Sequence, residues 1–186
     1  MKKVIFLDRD GVINKDPGGW TEHNYVTGWE YFLFLPGSKE AIKKLTLAGY
    51  DVVVISNQAG VARGYYTAEK LAEINACMAE EIARSGGRIK SAYYCVHRPD
   101  ENCGCRKPDT GLFKKAEREL GVKARGNFFV GDTETDIEAG KKMGMKTVLV
   151  LSGKAKKEEA ECWNIKPDYI FNGLNETVDF ILSKGD

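Results

Sequence analysis

The chain has 186 residues, of which 28 are lysine or arginine and 27 are aspartate or glutamate, so its formal net charge at pH 7 is +1. This length is typical of one domain with a substantial core. The balanced charge argues against binding to nucleic acid or to a membrane surface, and no apolar run reaches the roughly 20 residues of a membrane span. We therefore expect a cytoplasmic monomer with a single domain over residues 1–186.

Short apolar runs alternate with segments of helical periodicity along the chain. Predicted strands cover residues 4–7, 52–55, 93–96, 128–130, 147–151 and 169–171. Predicted helices cover residues 38–48, 112–120, 135–143 and 176–183, and the longest helix begins after Thr67, a good N-cap residue. Strands that alternate with helices predict an α/β fold, with a doubly wound parallel sheet between two helix layers in a three-layer sandwich.

Two segments do not follow this alternation. Residues 14–35, here called the flap, contain six aromatic side chains. Residues 95–108, here called the cysteine loop, contain three of the five cysteines and one of the two histidines. Each segment follows the carboxyl end of a predicted strand, where ligands bind in sheets of this kind. We expect both segments to border the functional site, and most of the flap aromatics to pack against the core.

Carboxylates directly follow two of the predicted strands. Asp8 and Asp10 follow the first strand, and Asp132 follows the strand at 128–130 after a glycine. Such carboxylates can supply a nucleophile and a proton-transfer group, and their oxygens suit Mg²⁺. Each motif alone fits a polar turn as well, and Asp136 fits simple capping of a helix N-terminus.

Two further motifs offer groups that bind phosphate. Ser56 begins a Ser-Asn-Gln turn after the second strand, where a hydroxyl and backbone N–H groups can cradle a phosphate. Lys107 can neutralise a phosphoryl group, and Arg106 can bind one in bidentate fashion. Ordinary turn chemistry and a solvated basic pair are the alternative interpretations.

Cys95, His97, Cys103 and Cys105 have the spacing of a metal site. Five residues separate the two ligand pairs, which is enough for the chain to turn back around one ion. Four such ligands fill the tetrahedral shell of Zn²⁺ and leave no open position for catalysis. We therefore predict a structural zinc that stiffens the loop before Lys107. Buried thiols or a disulfide are the alternatives, although a disulfide within Cys-x-Cys would be strained.

The order of these motifs resembles the phosphatases of the haloacid dehalogenase superfamily, from residue 3 to about residue 151. The resemblance implies that Asp8 is a nucleophile that forms an aspartyl-phosphate. It implies that Asp10 protonates the leaving oxygen and then activates water, and that Ser56 and Lys107 hold the phosphoryl group. It also implies a Mg²⁺ bound by Asp8, the backbone carbonyl of Asp10, and Asp132.

Residues 8–14, 56–64 and 103–108 are similar to a small zinc-containing subgroup of these phosphatases. The subgroup implies a Mg²⁺-dependent hydrolase of D-glycero-D-manno-heptose 1,7-bisphosphate at C7, which would serve nucleotide-heptose supply for lipopolysaccharide. Histidinol-phosphate phosphatase is the nearest alternative, but Arg106 favours the second phosphate of the sugar. The residues implied to contact the phosphorylated sugar are Asp16, Gly18, Gly19, Trp20, Asn57, Gln58, Ala59 and Arg106.

Two more distant interpretations remain at this point. Repair of a nucleic-acid 3′ phosphate rests on fold analogy and is opposed by the neutral net charge. A non-catalytic, zinc-stapled binding module is opposed by the joint presence of all the catalytic residue types.

Thr133 departs from the relatives that carry a basic residue after the metal-binding aspartate. No segment outside the core is long enough for the large cap domain of many superfamily members, so we expect an open site.

Overall fold

The computed structural model describes residues 3–184. Its strands are β1 (Val4–Leu7), β2 (Asp51–Asn57), β3 (Ile89–Cys95), β4 (Phe128–Gly131), β5 (Lys146–Val150) and β6 (Tyr169–Phe171). Its α-helices are α1 (Ser38–Leu47), α2 (Ala68–Arg84), α3 (Gly111–Leu120), α4 (Glu134–Lys142), α5 (Lys157–Cys162) and α6 (Leu174–Ser183). Short 3₁₀ helices lie at Trp29–Tyr31 and Pro99–Glu101.

The strands form one parallel sheet in the order β3-β2-β1-β4-β5-β6. The chain moves outward from β1 to β3 on one side and then outward from β4 to β6 on the other. The direction of winding therefore reverses between the neighbouring strands β1 and β4. In sheets of this type the ligand crevice lies at the carboxyl ends of the strands at this switch point.

Helices cover both faces of the sheet. Ile5 and Leu7 of β1 pack in one core cluster with side chains of α1, α2 and α6, while Val4 and Phe6 pack in a second cluster with side chains of α3. All four β1 side chains are at most 1% exposed. The predicted three-layer α/β sandwich is confirmed, and burial on both faces explains the uninterrupted apolar runs of the central strands.

The largest differences from the predicted elements lie at the periphery. β3 begins at Ile89 rather than at residue 93, because this edge strand is only partly buried and its first residues alternate with polar ones. The helix α5 was not predicted. Ala160 is the only buried residue of α5. The helix therefore has almost no apolar periodicity by which the sequence could reveal it. The other strands agree with the prediction to within two residues.

The flap packs against the core instead of forming a separate domain. Phe32 is buried, and Trp29 stacks on it at a centroid distance of 4.9 Å. Phe34 packs against the same cluster, while Tyr31 is exposed. Three of the six flap aromatics therefore pack against the core, which is half of them rather than the expected majority. Within residues 3–184 no large cap domain is present, as the sequence predicted.

Candidate active site

The main cavity lies at the carboxyl ends of β1, β2 and β4 and has a volume of about 440 Å³. The flap, the loop between β2 and α2, the cysteine loop and the loop after β5 form its walls. Nine predicted site residues line it together: Asp8, Asp10, Asp16, Ser56, Asn57, Ala59, Arg106, Lys107 and Asp132. The switch point of the sheet thus brings together groups that are up to 124 positions apart in the sequence, from Asp8 to Asp132.

Lys107 is almost completely buried at the bottom of this cavity. Its ammonium lies 2.9 Å from Asp8 Oδ1 and 2.7 Å from Asp136 Oδ1, and it donates a hydrogen bond of 2.8 Å to the carbonyl oxygen of Ile55. Two ion pairs and one hydrogen bond thus surround the ammonium. Burial alone would lower the pKa of Lys107, but the carboxylates of Asp136 and Asp8 raise it above its ordinary value. Lys107 is therefore a fixed positive charge beside Asp8.

Asn57 fixes the backbone of Lys107. Its Oδ1 accepts a hydrogen bond of 3.0 Å from the Lys107 N–H, and its Nδ2 donates one of 3.1 Å to the Lys107 carbonyl oxygen. The two bonds join the end of β2 to the cysteine loop across 50 residues of sequence. The side-chain amide of Asn57 thus sets the position of the lysine as well as lining the cavity.

Asp136 has two functions in this structure. Its Oδ2 accepts hydrogen bonds from the backbone N–H groups of Asp132 (3.2 Å) and Thr133 (3.1 Å), which caps α4 as the sequence indicated. Its Oδ1 also pairs with Lys107, which the sequence did not indicate. A single carboxylate therefore connects the β4–α4 turn to the lysine delivered by the cysteine loop.

Asp132 is held between two loops. Its Oδ2 accepts a hydrogen bond of 2.8 Å from the backbone N–H of Lys154, in the loop after β5. Gly11 lies on its other side with a φ of +80°, and a Cβ at this position would clash with the Asp132 carboxylate. Glycine at position 11 therefore meets both a conformational and a steric requirement.

The buried carboxylates carry more negative charge than the buried lysine neutralises. Burial, together with the charges of Asp136 and Asp10, raises the pKa of Asp8 to about 6, although Lys107 opposes this shift. Burial and the charges of Asp136 and Asp8 also raise the pKa of Asp132. Carboxylate oxygens of Asp8, Asp132 and Asp136 lie within 4.8 Å of one another. Such a set of oxygen donors with unbalanced negative charge fits a Mg²⁺ ion.

Asp10 has a different environment from Asp8. Arg9, whose side chain is fully buried, donates to Asp10 Oδ1 through Nε at 3.1 Å and through Nη2 at 2.9 Å. Asn14 donates to the same oxygen at 2.8 Å, and Gln58 donates to Oδ2 at 2.7 Å. Burial would raise the pKa of Asp10, but Arg9 and these hydrogen bonds outweigh it and hold the pKa below its ordinary value. The two neighbouring aspartates are thus shifted in opposite directions, which is typical of catalytic pairs.

The four predicted zinc ligands meet in the cysteine loop. Cys105 Sγ lies 3.1 Å from Cys95 Sγ, 3.3 Å from Cys103 Sγ and 3.3 Å from His97 Nδ1. All of the cysteines are free thiols, and these sulfur separations are well beyond a disulfide bond. The predicted alternative of a disulfide is therefore not present. Three thiols and an imidazole that converge within 4.8 Å form a donor set that fits Zn²⁺.

Four residues predicted to contact substrate lie outside the cavity lining: Gly18, Gly19, Trp20 and Gln58. Trp20 donates from Nε1 to the Asp16 carbonyl oxygen at 2.6 Å, and the Lys15 ammonium lies 4.7 Å from its ring centroid. Gln58 is fully buried behind Asp10. In this conformation Trp20 and its neighbours support Asp16, which does line the cavity.

Sequence reasoning missed several residues of the site. Arg63 and Lys154 line the cavity, and Arg9 and Tyr66 lie behind it. The sequence Asp8-Arg9-Asp10 could have indicated a role for Arg9, because the two site aspartates are its nearest charged neighbours along the chain. Tyr66 and Lys154 carry no local signal, because the turn after β2 brings Tyr66 back to Gln58 and the folded sheet brings Lys154 to Asp16.

A buried nucleophile candidate, a lysine, a serine and acidic groups at the switch point of a parallel sheet define a hydrolase of the haloacid dehalogenase type. The HAD-hydrolase-like family model matches residues 104–177. Among curated proteins, the D-glycero-beta-D-manno-heptose-1,7-bisphosphate 7-phosphatase of Pseudomonas putida is 39% identical over 155 residues, which are 83% of this chain and 86% of that protein. The protein of the same name from Neisseria meningitidis is 34% identical and covers 98% of this chain and 96% of its own length.

A solved structure gives the same result. The D,D-heptose 1,7-bisphosphate phosphatase of B. bronchiseptica, complexed with magnesium and phosphate, superimposes with a TM-score of 0.88 at 32% identity, covering 98% of this chain and 99% of that one. This chain therefore belongs to the heptose 1,7-bisphosphate 7-phosphatase family of haloacid dehalogenase-like phosphatases. Within residues 3–184, no helix is both long and apolar enough to cross a membrane.

Proposed function

We propose that this protein removes the C7 phosphate of D-glycero-D-manno-heptose 1,7-bisphosphate, as a step in the supply of nucleotide-activated heptose. The observation that carries the proposal is the joint lining of one cavity by the Asp8–Lys107 pair and by further basic side chains. The related heptose 1,7-bisphosphate 7-phosphatases add the substrate, and their names specify the β anomer.

Asp8 is the proposed nucleophile. One of its carboxylate oxygens attacks phosphorus, the bond between phosphorus and the C7 ester oxygen breaks, and that oxygen takes a proton from Asp10. Asp10 is held ionised in the free protein, so it must first gain this proton, and the negative charge of the arriving phosphate favours that uptake. Lys107 and the buried hydroxyl of Ser56 hold the phosphoryl oxygens during the transfer.

Asp10 then changes from acid to base. Its carboxylate takes a proton from a water molecule whose oxygen attacks the phosphorus of the aspartyl-phosphate. The bond between phosphorus and the Asp8 oxygen breaks, which releases inorganic phosphate and restores the Asp8 carboxylate. The neighbouring Lys107 neutralises charge in both steps because its position is fixed by Asn57 and Asp136.

We further propose the metals that complete the two clusters. Asp8, Asp132 and the backbone carbonyl of Asp10 would hold Mg²⁺, with Asp136 close by. The bound Mg²⁺ would supply neutralisation of phosphate charge and orientation of the phosphoryl oxygens. Cys95, His97, Cys103 and Cys105 would hold a structural Zn²⁺.

The second phosphate of the substrate needs its own positive charges. Besides Lys107, the basic residues Arg63, Arg106 and Lys154 line the cavity. Arg106 follows the cysteine cluster directly and precedes Lys107, so the same loop positions both. Lys154 Nζ lies 3.4 Å from Asp16 Oδ2, which keeps its ammonium at the flap side of the cavity. This surplus of cations supports a bisphosphate over histidinol phosphate, whose remote end is cationic.

The test is a comparison of kcat/KM for the α and β anomers of heptose 1,7-bisphosphate and for histidinol phosphate, with Mg²⁺ present. We expect a preference of at least about 100-fold for a bisphosphate, equivalent to about 2.7 kcal/mol, and a preference for the β anomer. A preference for histidinol phosphate would be consistent with the proposed mechanism but would contradict the proposed substrate. Phosphate binding without any turnover would favour the binding module.

A matched pair of arginine variants tests the second phosphate site. Arg106→Gln should lower kcat/KM for the bisphosphate by about 10- to 100-fold, the range expected for a lost hydrogen bond to a charged group. Arg118→Gln removes the same charge from the exposed surface of α3 and should leave kcat/KM unchanged. Equal effects of the two variants would contradict a specific role of Arg106.

A further inference from the structure

A chain of hydrogen bonds runs from the protein interior to the proposed acid and base. The Tyr66 hydroxyl donates to Gln58 Oε1 at 2.7 Å, and Gln58 Nε2 donates to Asp10 Oδ2 at 2.7 Å. The same Nε2 lies 3.3 Å from Ser56 Oγ. One side-chain amide therefore contacts both the proton-transfer group and the serine proposed to hold phosphate.

The donors and acceptors in this chain of hydrogen bonds match for only one orientation of the Gln58 amide. A carboxylate accepts hydrogen bonds but cannot donate them, so the amide must turn its NH₂ group toward Asp10. Its oxygen then faces Tyr66, where the phenol hydroxyl donates to it. If the amide turned by 180°, Oε1 would lie against the Asp10 carboxylate and the two acceptors would repel each other. Tyr66 thus helps to keep the amide in its productive orientation.

The two oxygens of Asp10 are held unequally. Oδ1 accepts from Arg9 Nε, Arg9 Nη2 and Asn14 Nδ2, whereas Oδ2 accepts from Arg9 Nη2 at 3.1 Å and from Gln58. Oδ1 therefore accepts three hydrogen bonds and Oδ2 two, and the Arg9 Nη2 donor of Oδ2 is shared with Oδ1, so Oδ2 is the less occupied oxygen. The orientation of Oδ2 depends on the Gln58 contact.

Gln58 and Tyr66 do not line the cavity, so they are not placed for direct contact with the substrate. Gln58 is 0% exposed and Tyr66 is 7% exposed. The Tyr66 ring is further confined by Gly60, where a Cβ would clash with the ring. These residues can act on the reaction only through the groups that they hold.

We propose that Gln58 and Tyr66 are positioning residues, which aim Asp10 Oδ2 at the leaving-group oxygen. This assignment replaces the expectation that Gln58 binds the sugar phosphate, and it rests on the proposed role of Asp10. When the ester bond to phosphorus breaks, an alkyl alcohol needs the proton from Oδ2, whereas p-nitrophenolate leaves without one. Misdirection of Oδ2 should therefore slow alkyl phosphates selectively.

The test is the Tyr66→Phe variant, which keeps the ring and removes the hydroxyl. The measured quantity is kcat/KM, because it reports only the steps up to phosphoryl transfer and excludes hydrolysis of the aspartyl-phosphate. We expect a loss of about tenfold, equivalent to about 1.4 kcal/mol, for heptose 1,7-bisphosphate. For p-nitrophenyl phosphate we expect a loss below about threefold. If the bisphosphate is not hydrolysed, histidinol phosphate replaces it as the alkyl ester.

Three further variants make each result interpretable. Gln58→Met removes the amide and should show the same selective loss of kcat/KM. It replaces Tyr66→Phe as the test if a thermal unfolding measurement shows that Tyr66→Phe folds poorly. Tyr93→Phe removes the hydroxyl of a buried tyrosine in the core cluster of Val4 and Phe6, and it should leave kcat/KM for both substrates unchanged. Asp10→Asn should lose far more on the alkyl ester than on p-nitrophenyl phosphate.

The outcomes separate the two hypotheses. An equal loss on both substrates in Tyr66→Phe and Gln58→Met would mean that these residues have only a structural role, and no loss on either would mean that they are idle. Either result overturns the inference, provided that Asp10→Asn still loses more activity on the alkyl ester than on p-nitrophenyl phosphate. If Asp10→Asn itself loses equally on both substrates, the assignment of Asp10 as the acid fails instead.

Discussion

The carboxylate cluster at the ends of β1 and β4 and the cysteine cluster in the loop after β3 are held together in different ways. In the carboxylate cluster, protein groups hold each ligand: Lys107 pairs with Asp8 and Asp136, and the Lys154 N–H donates to Asp132. In the cysteine cluster, the side chains of the four ligands contact one another.

This difference has a physical consequence for the two proposed metals. The buried carboxylates are held by ion pairs with Lys107 and by backbone hydrogen bonds, so we expect their arrangement not to depend on a cation, although their surplus charge attracts one. Cys103 and Cys105 are only partly buried and lie in a loop with little regular structure. We therefore expect Mg²⁺ to control turnover without controlling folding, and Zn²⁺ to control the structure of the loop.

The largest expected effect is that of Asp8→Asn. Loss of the nucleophile should lower turnover by about 10⁴-fold or more. The melting temperature should stay the same or rise, because one of three crowded negative charges is removed. Asp179→Asn changes an exposed aspartate that pairs with Lys44 and should keep full activity. Full activity in Asp8→Asn would show that another group attacks phosphorus.

Removal of Mg²⁺ should come next in size. Gel filtration into Mg²⁺-free buffer should lower kcat by about 10³-fold, since a metal ion at a phosphoryl site contributes several kcal/mol. Circular dichroism should not change, and added Mg²⁺ should restore the rate. Unfolding on removal of Mg²⁺ would break the contrast between the two clusters.

Cys105→Ser should give a smaller loss of activity but a clear loss of stability. Elemental analysis should show loss of bound zinc, and the melting temperature should fall by about 5 °C or more, equivalent to about 2 kcal/mol for a chain of this size. Looser delivery of Lys107 and Arg106 should lower kcat/KM by about 10- to 100-fold. Cys162→Ser alters an exposed thiol remote from the cluster and is the matched control. Retained zinc and stability in Cys105→Ser would contradict the structural role.

The smallest effect concerns the pH dependence of Mg²⁺ binding. The pKa of Asp8 is raised to about 6 without metal, so below this pH the carboxyl is protonated and Mg²⁺ must displace a proton. The Kd for Mg²⁺ should therefore increase by at least about tenfold for each pH unit below 6. Calorimetric titration between pH 5 and 8 measures this. A Kd that does not depend on pH would exclude Asp8 as the titrating ligand.

Local patterns in the sequence determined much of this protein. Apolar runs located the buried strands, because strands covered on both faces cannot alternate with polar residues. The four proposed zinc ligands could be found from the sequence because they all lie within residues 95–105, where their spacing restricts the geometry. The Asp8-x-Asp10 motif and the acids after β4 could be placed together because parallel strands share a carboxyl edge.

The tertiary structure decided which polar groups pair with which. Asp136 could be recognised as a helix cap from the sequence, but its pairing with Lys107 appears only when α4 and the cysteine loop meet. Gln58 belongs to a motif that predicts substrate contact, yet folding buries it between Tyr66 and Asp10. Secondary structure and clustered ligands follow from neighbours along the chain. The partners of a buried polar side chain come from distant segments, and only the packed fold brings them within hydrogen-bond distance.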